Sequence, residues 1–220
     1  MNYKRITLLC GHYGSGKTNV AINMAYELKK QYNDVVIADL DIVNPYFRTK
    51  DSAAELEQNG IRLICSEYAG TNVDIPALPQ QIYSLTDDKA VKAVIDVGGD
   101  DRGALALGRI SPKIAEENDY EALLVINQFR PLTPDAASTL EVLKEIEQAC
   151  GLRMTGLVNN SNLGVETTPE DVLGSVAYAK EVSEITGLPV LCTSVNQTLY
   201  TELEGKIENL LPLRLQEKIN

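Results

Sequence analysis

Short apolar runs recur along the chain at Ile6–Cys10, Val35–Ala38, Ile61–Cys65, Val91–Val97, Ala122–Ile126, Thr155–Val158 and Val190–Thr193. Most are rich in β-branched residues and do not alternate with polar ones, the pattern of strands covered on both faces of a parallel sheet. Between them the period lengthens to that of a helix. Thr18–Lys30 follows the first run, and a segment opened by Thr133-Pro134 sets Leu140, Leu143 and Ile146 on one face and stops at Gly151. Thr168-Pro169-Glu170-Asp171 supplies a cap residue, a proline at the first helical position and an acid three residues after the cap, and that helix is expected to end at Gly187. Strand and helix alternate throughout. The pattern predicts one α/β domain over residues 1–220, with three layers and a mainly parallel sheet of about seven strands.

Two stretches leave this rhythm. Ser66–Pro79 is the least regular and reads as a long loop, of the kind that carries specificity on a rigid sheet. Leu203–Ile219 is amphipathic but interrupted by Pro212, and its mixed charges suit docking against the body better than lying on a membrane surface.

Composition narrows the picture. With 44% hydrophobic residues in 220 the chain builds a sizeable core, and 31 acidic against 20 basic side chains give a formal charge of -11. That balance repels a nucleic-acid backbone, so no nucleic-acid partner is expected. Cys10, Cys65, Cys150 and Cys192 are too far apart for a Cys-x-x-Cys site and read as reduced, mostly buried thiols. The apolar run behind the basic start is too short for a signal peptide, and no stretch nears the roughly 20 apolar residues of a membrane span. A cytoplasmic protein without a membrane partner is expected.

The chemistry concentrates at Gly11-His12-Tyr13-Gly14-Ser15-Gly16-Lys17-Thr18, which fits G-x-x-x-x-G-K-[ST] at every fixed position. Chance gives roughly 0.01 such matches in 220 positions. The glycines Gly11, Gly14 and Gly16 let successive N–H groups, that of Ser15 among them, curl around phosphate oxygens, and the helix that follows, with Asn19 in its first turn, points its positive end at the same anion. Lys17 is then the group that reaches the β- and γ-phosphates, and the Thr18 hydroxyl a ligand of Mg²⁺. Carboxylates after other strands complete the set. Asp39-Leu-Asp41 closes the second run ahead of Asn44–Arg48, and Asp96-Val97-Gly98-Gly99 closes the fourth. At the carboxyl ends of parallel strands they face the crevice of the phosphate loop. Asp96 and Asp41 are the candidate metal carboxylates, Asp41 also the candidate to orient an attacking water, Asp39 a support for the metal shell, and the Gly99 N–H a sensor of the γ-phosphate.

This order of motifs resembles the MinD/ParA-type branch of P-loop NTPases, also called CobQ/CobB/MinD/ParA. The resemblance covers most of the chain and implies a mainly parallel sheet flanked by helices, Mg-ATP as cofactor and, often, an ATP-dependent homodimer. His12 departs from it: members with the deviant loop carry a signature lysine at that place, and an imidazole is shorter. Arg48, Arg102 and Arg130 are the candidates to supply the missing charge.

Asn159 and Asn160 end the sixth run and, by position and resemblance, are expected near the base, with Asn196 a weaker candidate. Where related GTPases often carry N-K-x-D, this chain has Asn162, and an amide accepts guanine's two protons poorly, so ATP is expected over GTP. Three outcomes stay open: a slow ATPase switching a client protein or dimer interface, a small-molecule enzyme resembling dethiobiotin synthetase-type ligases, and a binding module that does not hydrolyse. His12 is the only histidine, so a Ser-His-Asp triad would have to borrow from the phosphate loop, and a histidine-rich metal site is excluded.

Overall fold

The computed structural model describes residues 3–40, 49–65, 80–99, 103 and 107–215. Among these, eight strands form one sheet: β1 (Ile6–Cys10), β2 (Val35–Asp39), β3 (Ile61–Ile64), β4 (Lys92–Asp96), β5 (Tyr120–Ile126), β6 (Gly156–Asn159), β7 (Val190–Asn196) and β8 (Leu210–Leu213). Their spatial order is β3-β2-β4-β1-β5-β6-β7-β8, and every neighbouring pair is parallel. The helices of the described residues are α1 (Lys17–Lys29), α2 (Ala53–Gln58), α3 (Ser84–Asp87), α4 (Ser111–Glu117), α5 (Ala136–Cys150), α6 (Pro169–Thr186) and α7 (Gln197–Leu203).

The apolar runs lack alternation because both faces of the sheet are covered. In β1, Ile6, Leu8 and Cys10 point into one core layer with Ile114 of α4, Leu143 of α5 and Val182 of α6. Leu9 points into the other, where Val20, Met24 and Leu28 of α1 and Leu56 of α2 pack. Each such fully buried side chain contributes about 1.5–3 kcal/mol relative to exposure. The result is a three-layer α/β/α fold. The chain leaves β1 toward β3 on one side and returns to build β5–β8 on the other, so the direction of winding reverses beside β1. That reversal opens a crevice at the carboxyl end of β1, where ligands of such sheets bind.

The helix signals read from the sequence reappear at the ends. Thr168 and Asp171 form the reciprocal capping box of α6, and Gly187 ends that helix in the left-handed conformation. The start of α5 lies two residues later than Thr133-Pro134 suggests, because Asp135 is the cap and accepts from the Ser138 N–H at 2.8 Å. Thr133 closes the preceding turn instead, donating to the Asn127 carbonyl at 2.7 Å.

The tail does dock on the body, and it does so as an eighth strand. Among the described residues Leu210–Leu213 pairs only with β7, and Pro212 is tolerated because such an edge strand leaves one side without a ladder. The loop Ser66–Pro79 lies outside the described residues, as do Asn44–Arg48 and Arg102. No helix among the described residues is long and apolar enough to cross a membrane.

Candidate phosphate-binding site

Residues 11–16 carry the chain from the end of β1 into α1. Gly14 and Gly16 stand at φ 78° and 89°, in the left-handed region that a side chain disfavours by about 1–2 kcal/mol. The turn is closed by the Ser15 N–H donating to the His12 carbonyl at 3.1 Å. Gly16 caps α1 with no side chain to offer, and no acidic residue stands in the first turn, so the helix start is left for an external anion. A Cβ on Gly11 would come within 2.6 Å of the Val125 carbonyl oxygen, which explains the glycine at the strand exit.

Lys17 and Thr18 are both buried at this mouth, at 5% and 8% exposure. The Lys17 Nζ donates to the His12 carbonyl at 3.4 Å, a long bond suited to exchange for a better acceptor. The Thr18 hydroxyl donates to Asp96 Oδ2 at 2.7 Å. Asp96 is 1% exposed and also accepts from the Thr49 hydroxyl at 3.4 Å. Asp39 ends β2 in direct register with Asp96 at the end of β4, so two carboxylates stand side by side on neighbouring strands. Asp41 lies outside the described residues.

Gly99 rests on the loop itself. A Cβ there would fall 2.6 Å from the Tyr13 N and 2.8 Å from Lys17 Nζ. A glycine at this point therefore lets the segment after β4 touch both the phosphate loop and its lysine. Ser15 Oγ is buried without a hydrogen-bond partner, a further polar atom in the cradle left for something else.

These residues fit a magnesium ion bound with phosphate. Mg²⁺ takes one or two protein oxygens and completes its shell with water and phosphate, and a hydroxyl 2.7 Å from a buried carboxylate meets that need. Among the described residues there is no group of three or more His, Cys, Asp or Glu that could hold a metal ion. Burial pushes the Cys10 thiol, just before the loop, well above its ordinary range, with Cys150 adding to the rise and Lys17 opposing it, and burial pushes Cys192 up to about 12. Both stay protonated and inert.

Asn159 and Asn160 close β6 with their side chains committed inside the protein. The Asn159 amide donates to Ser175 Oγ at 2.8 Å and its oxygen accepts from Ser161 Oγ at 2.8 Å. Asn160 donates to the Ser15 carbonyl at 2.6 Å and accepts from Ser194 Oγ at 2.7 Å, clamping the phosphate loop to β6 and β7. A Cβ on Gly16 would collide with this amide. Asn162 folds onto its own loop, accepting from Gly164 N at 3.0 Å, and Asn196 caps α7 by accepting from Thr198 N at 3.0 Å. Asn160→Ala is expected to destabilise the protein by about 2–3 kcal/mol, since it opens a small void and strips partners from two buried groups. Denaturant unfolding measures this, and a loss under about 0.5 kcal/mol would contradict the clamp.

A cavity of about 320 Å³ adjoins the loop on the face of the sheet opposite α1. Val142, Glu145, Ile146 and Ala149 of α5 form one wall, and the His12-Tyr13 turn and Gly98-Gly99 the other.

No family model matches the chain, and no curated protein sequence does. Solved structures do match. Cell division protein FtsY from Thermotoga maritima is 19% identical over 87% of this chain and 61% of that one, with a TM-score of 0.58. The fold is that of the P-loop NTPases. Chloroplast FtsY from Physcomitrella patens follows at 18% identity, 88% and 59% coverage and a TM-score of 0.57. Signal recognition particle 54 kDa protein from Aeropyrum pernix, in complex with GDP, is 16% identical over 86% of this chain and 41% of that one, at a TM-score of 0.53. The chain thus spans about three fifths of the length of these FtsY structures. At such identities the likeness is one of fold, and the site's chemistry rests on its own residues.

The site combines residues legible in the motif with others that were not. Thr49, 47 positions before Asp96, had no signal in the sequence, because a threonine ahead of a short helix is an ordinary cap. Ser194 also carries no local signal: it lies inside β7, where its hydroxyl bonds Asn160 Oδ1 at 2.7 Å and the Asn159 carbonyl at 3.3 Å.

Proposed function

We propose that this chain is a Mg-ATP-binding P-loop ATPase of MinD/ParA type, acting as a nucleotide-dependent switch on a partner protein or a dimer interface. The observation that carries the reading is the Thr18 hydroxyl 2.7 Å from the buried Asp96 carboxylate, directly beside Lys17 and Gly99. The loop amides of residues 14–18 bind and orient the phosphate chain, and Lys17 leaves the His12 carbonyl to meet it. Thr18 and Asp96 would hold Mg²⁺, with Asp39 alongside, and the ion when bound neutralises charge on the phosphates. Gly99, already packed on Tyr13 and Lys17, answers to the γ-phosphate through its N–H and so couples the end of β4 to nucleotide state. Asp41 orients the attacking water.

Adenine is the proposed base because Asn162 lacks the carboxylate that guanine needs. Calorimetry of the full chain with ATP, GTP and non-hydrolysable analogues tests this, with mass measurement of the analogue complex to read dimerisation. Tighter binding of GTP than ATP would overturn the choice of base. Asp41→Ala is expected to keep ATP affinity within about twofold and slow hydrolysis at least about tenfold. Hydrolysis at the wild-type rate would remove Asp41 from the role.

A second reading, a small-molecule enzyme that phosphorylates an acceptor, is favoured by the cavity of about 320 Å³ against Gly99 and the loop, at the lower end of ligand-pocket volumes. ATP turnover that requires a small carboxylate would select it over the switch.

A further inference from the structure

The segment after β5 delivers a charged side chain to the crest of the phosphate loop. Arg130 sits in a tight double turn, its N–H donating to the Asn127 carbonyl at 3.1 Å and its carbonyl accepting from the Thr133 N–H at 3.1 Å. The Asn127 side-chain oxygen accepts from Phe129 N at 3.0 Å, so the backbone that carries the arginine is fixed. Its side chain lies over Gly14: a Cβ on that glycine would meet Arg130 Nε at 3.7 Å and Cδ at 3.8 Å. The Nε is buried and has no hydrogen-bond partner.

Among the described arginines no other has a buried side-chain nitrogen without a partner. Arg5, Arg62 and Arg153 pair with a carboxylate, whereas Arg109 and Arg214 make no ion pair among the described residues. Arg130 makes no ion pair among the described residues. A buried guanidinium nitrogen without an acceptor is costly, and its neighbours at the loop, the amides of the turn and Lys17, are donors as well. The acceptor that satisfies all of them at once is anionic oxygen. Between Gly11 and Thr18 the loop's one Lys or Arg side chain is Lys17.

We propose that Arg130 is a nucleotide-binding residue, supplied in cis, that donates to phosphate oxygens beyond the α-phosphate. This rests on the nucleotide reading of the site. Arginine suits the task through its planar fork of donors, which a lysine reproduces only in charge.

The test is calorimetry of the full chain with Mg-ATP and with AMP, for the wild type, Arg130→Gln and Arg130→Lys, beside thermal melts without nucleotide. Arg130→Gln is expected to weaken ATP binding about ten- to hundredfold, the range for a lost charge-assisted bond, and to leave AMP affinity unchanged. Arg130→Lys is expected to recover part of the loss with an unchanged melt, and it decides the matter if the glutamine variant folds poorly. ATP affinity within about twofold of wild type in Arg130→Gln, or an equal loss for AMP and ATP, overturns the proposal while leaving the phosphate site intact. A wild-type chain that binds neither ATP nor GTP overturns the site reading itself, and this inference with it.

Discussion

Lys17→Ala is expected to abolish ATP binding at the concentrations calorimetry can reach. The lysine is 5% exposed at the start of α1, and among the described residues its ammonium makes one long bond, to the His12 carbonyl at 3.4 Å. Each charge-assisted hydrogen bond to phosphate contributes about 1.5–3 kcal/mol, so a lysine that bridges two phosphates accounts for about 3–6 kcal/mol. At about 1.4 kcal/mol per decade that is a loss of roughly a hundred- to ten-thousandfold in affinity. The free protein should hardly notice, since one weak bond is exchanged for a small void at the mouth, and a melt without nucleotide should move by a few degrees at most. Wild-type ATP affinity in this variant would sink the assignment of the loop.

Asp96→Asn separates the metal from the fold. The amide is the same size, and its oxygen still accepts from the Thr18 hydroxyl, now at 2.7 Å from Oδ2. What disappears is a buried negative charge in register with Asp39. Without nucleotide the variant should melt no lower than wild type, because two neighbouring carboxylates no longer repel each other. With nucleotide the expected change is large. The ratio of ATP affinities with and without Mg²⁺ should collapse toward one, and hydrolysis should fall by about two decades or more, as a lost metal ligand costs several kcal/mol of charge stabilisation. Titration of Mg²⁺ into the ATP complex reads the first effect, and an undiminished metal dependence would move the ion elsewhere.

Much of the molecule was legible because two physical constraints write themselves plainly in sequence. A strand covered on both faces must be apolar throughout, and seven such runs appear as β1–β7 with their ends displaced by three residues at most. A loop that wraps phosphate must have glycine where φ is positive, and Gly14 and Gly16 stand there. What escaped was decided at long range. Tyr120 and Glu121 belong to β5, but a carboxylate breaks an apolar run, and its burial is made tolerable by the Thr7 hydroxyl 2.8 Å away, the Lys4 backbone and the charges of Lys92 and Lys4. Burial still pushes the Glu121 carboxyl above its usual range, with the Thr7 bond opposing. Pro212 hid β8, since nothing local says that Leu210–Leu213 will lie at an edge. Position places Asn160 near the base, and it says nothing of the clamp that its side chain makes. Its partners Ser15 and Ser194 lie 145 and 34 residues away, and no local pattern encodes a clamp between a backbone carbonyl and a hydroxyl so far apart.

The contact between α1 and β8 has a consequence for how the protein is made. Leu211 and Leu213 share the core layer of Val20, Met24 and Leu28, and Asn23 clasps Arg214, donating to its carbonyl at 3.0 Å and accepting from its N–H at 2.9 Å. These partners are 191 positions apart. The helix that presents the phosphate loop leaves the ribosome 191 positions ahead of the residue it clasps, and one of its walls arrives only when residues 210–214 do. Contacts of such separation form late, because the intervening chain must first be ordered. A nascent chain that has passed Thr18 therefore already carries the complete motif, yet the helix behind it stays partly uncovered until nearly two hundred further residues have been added.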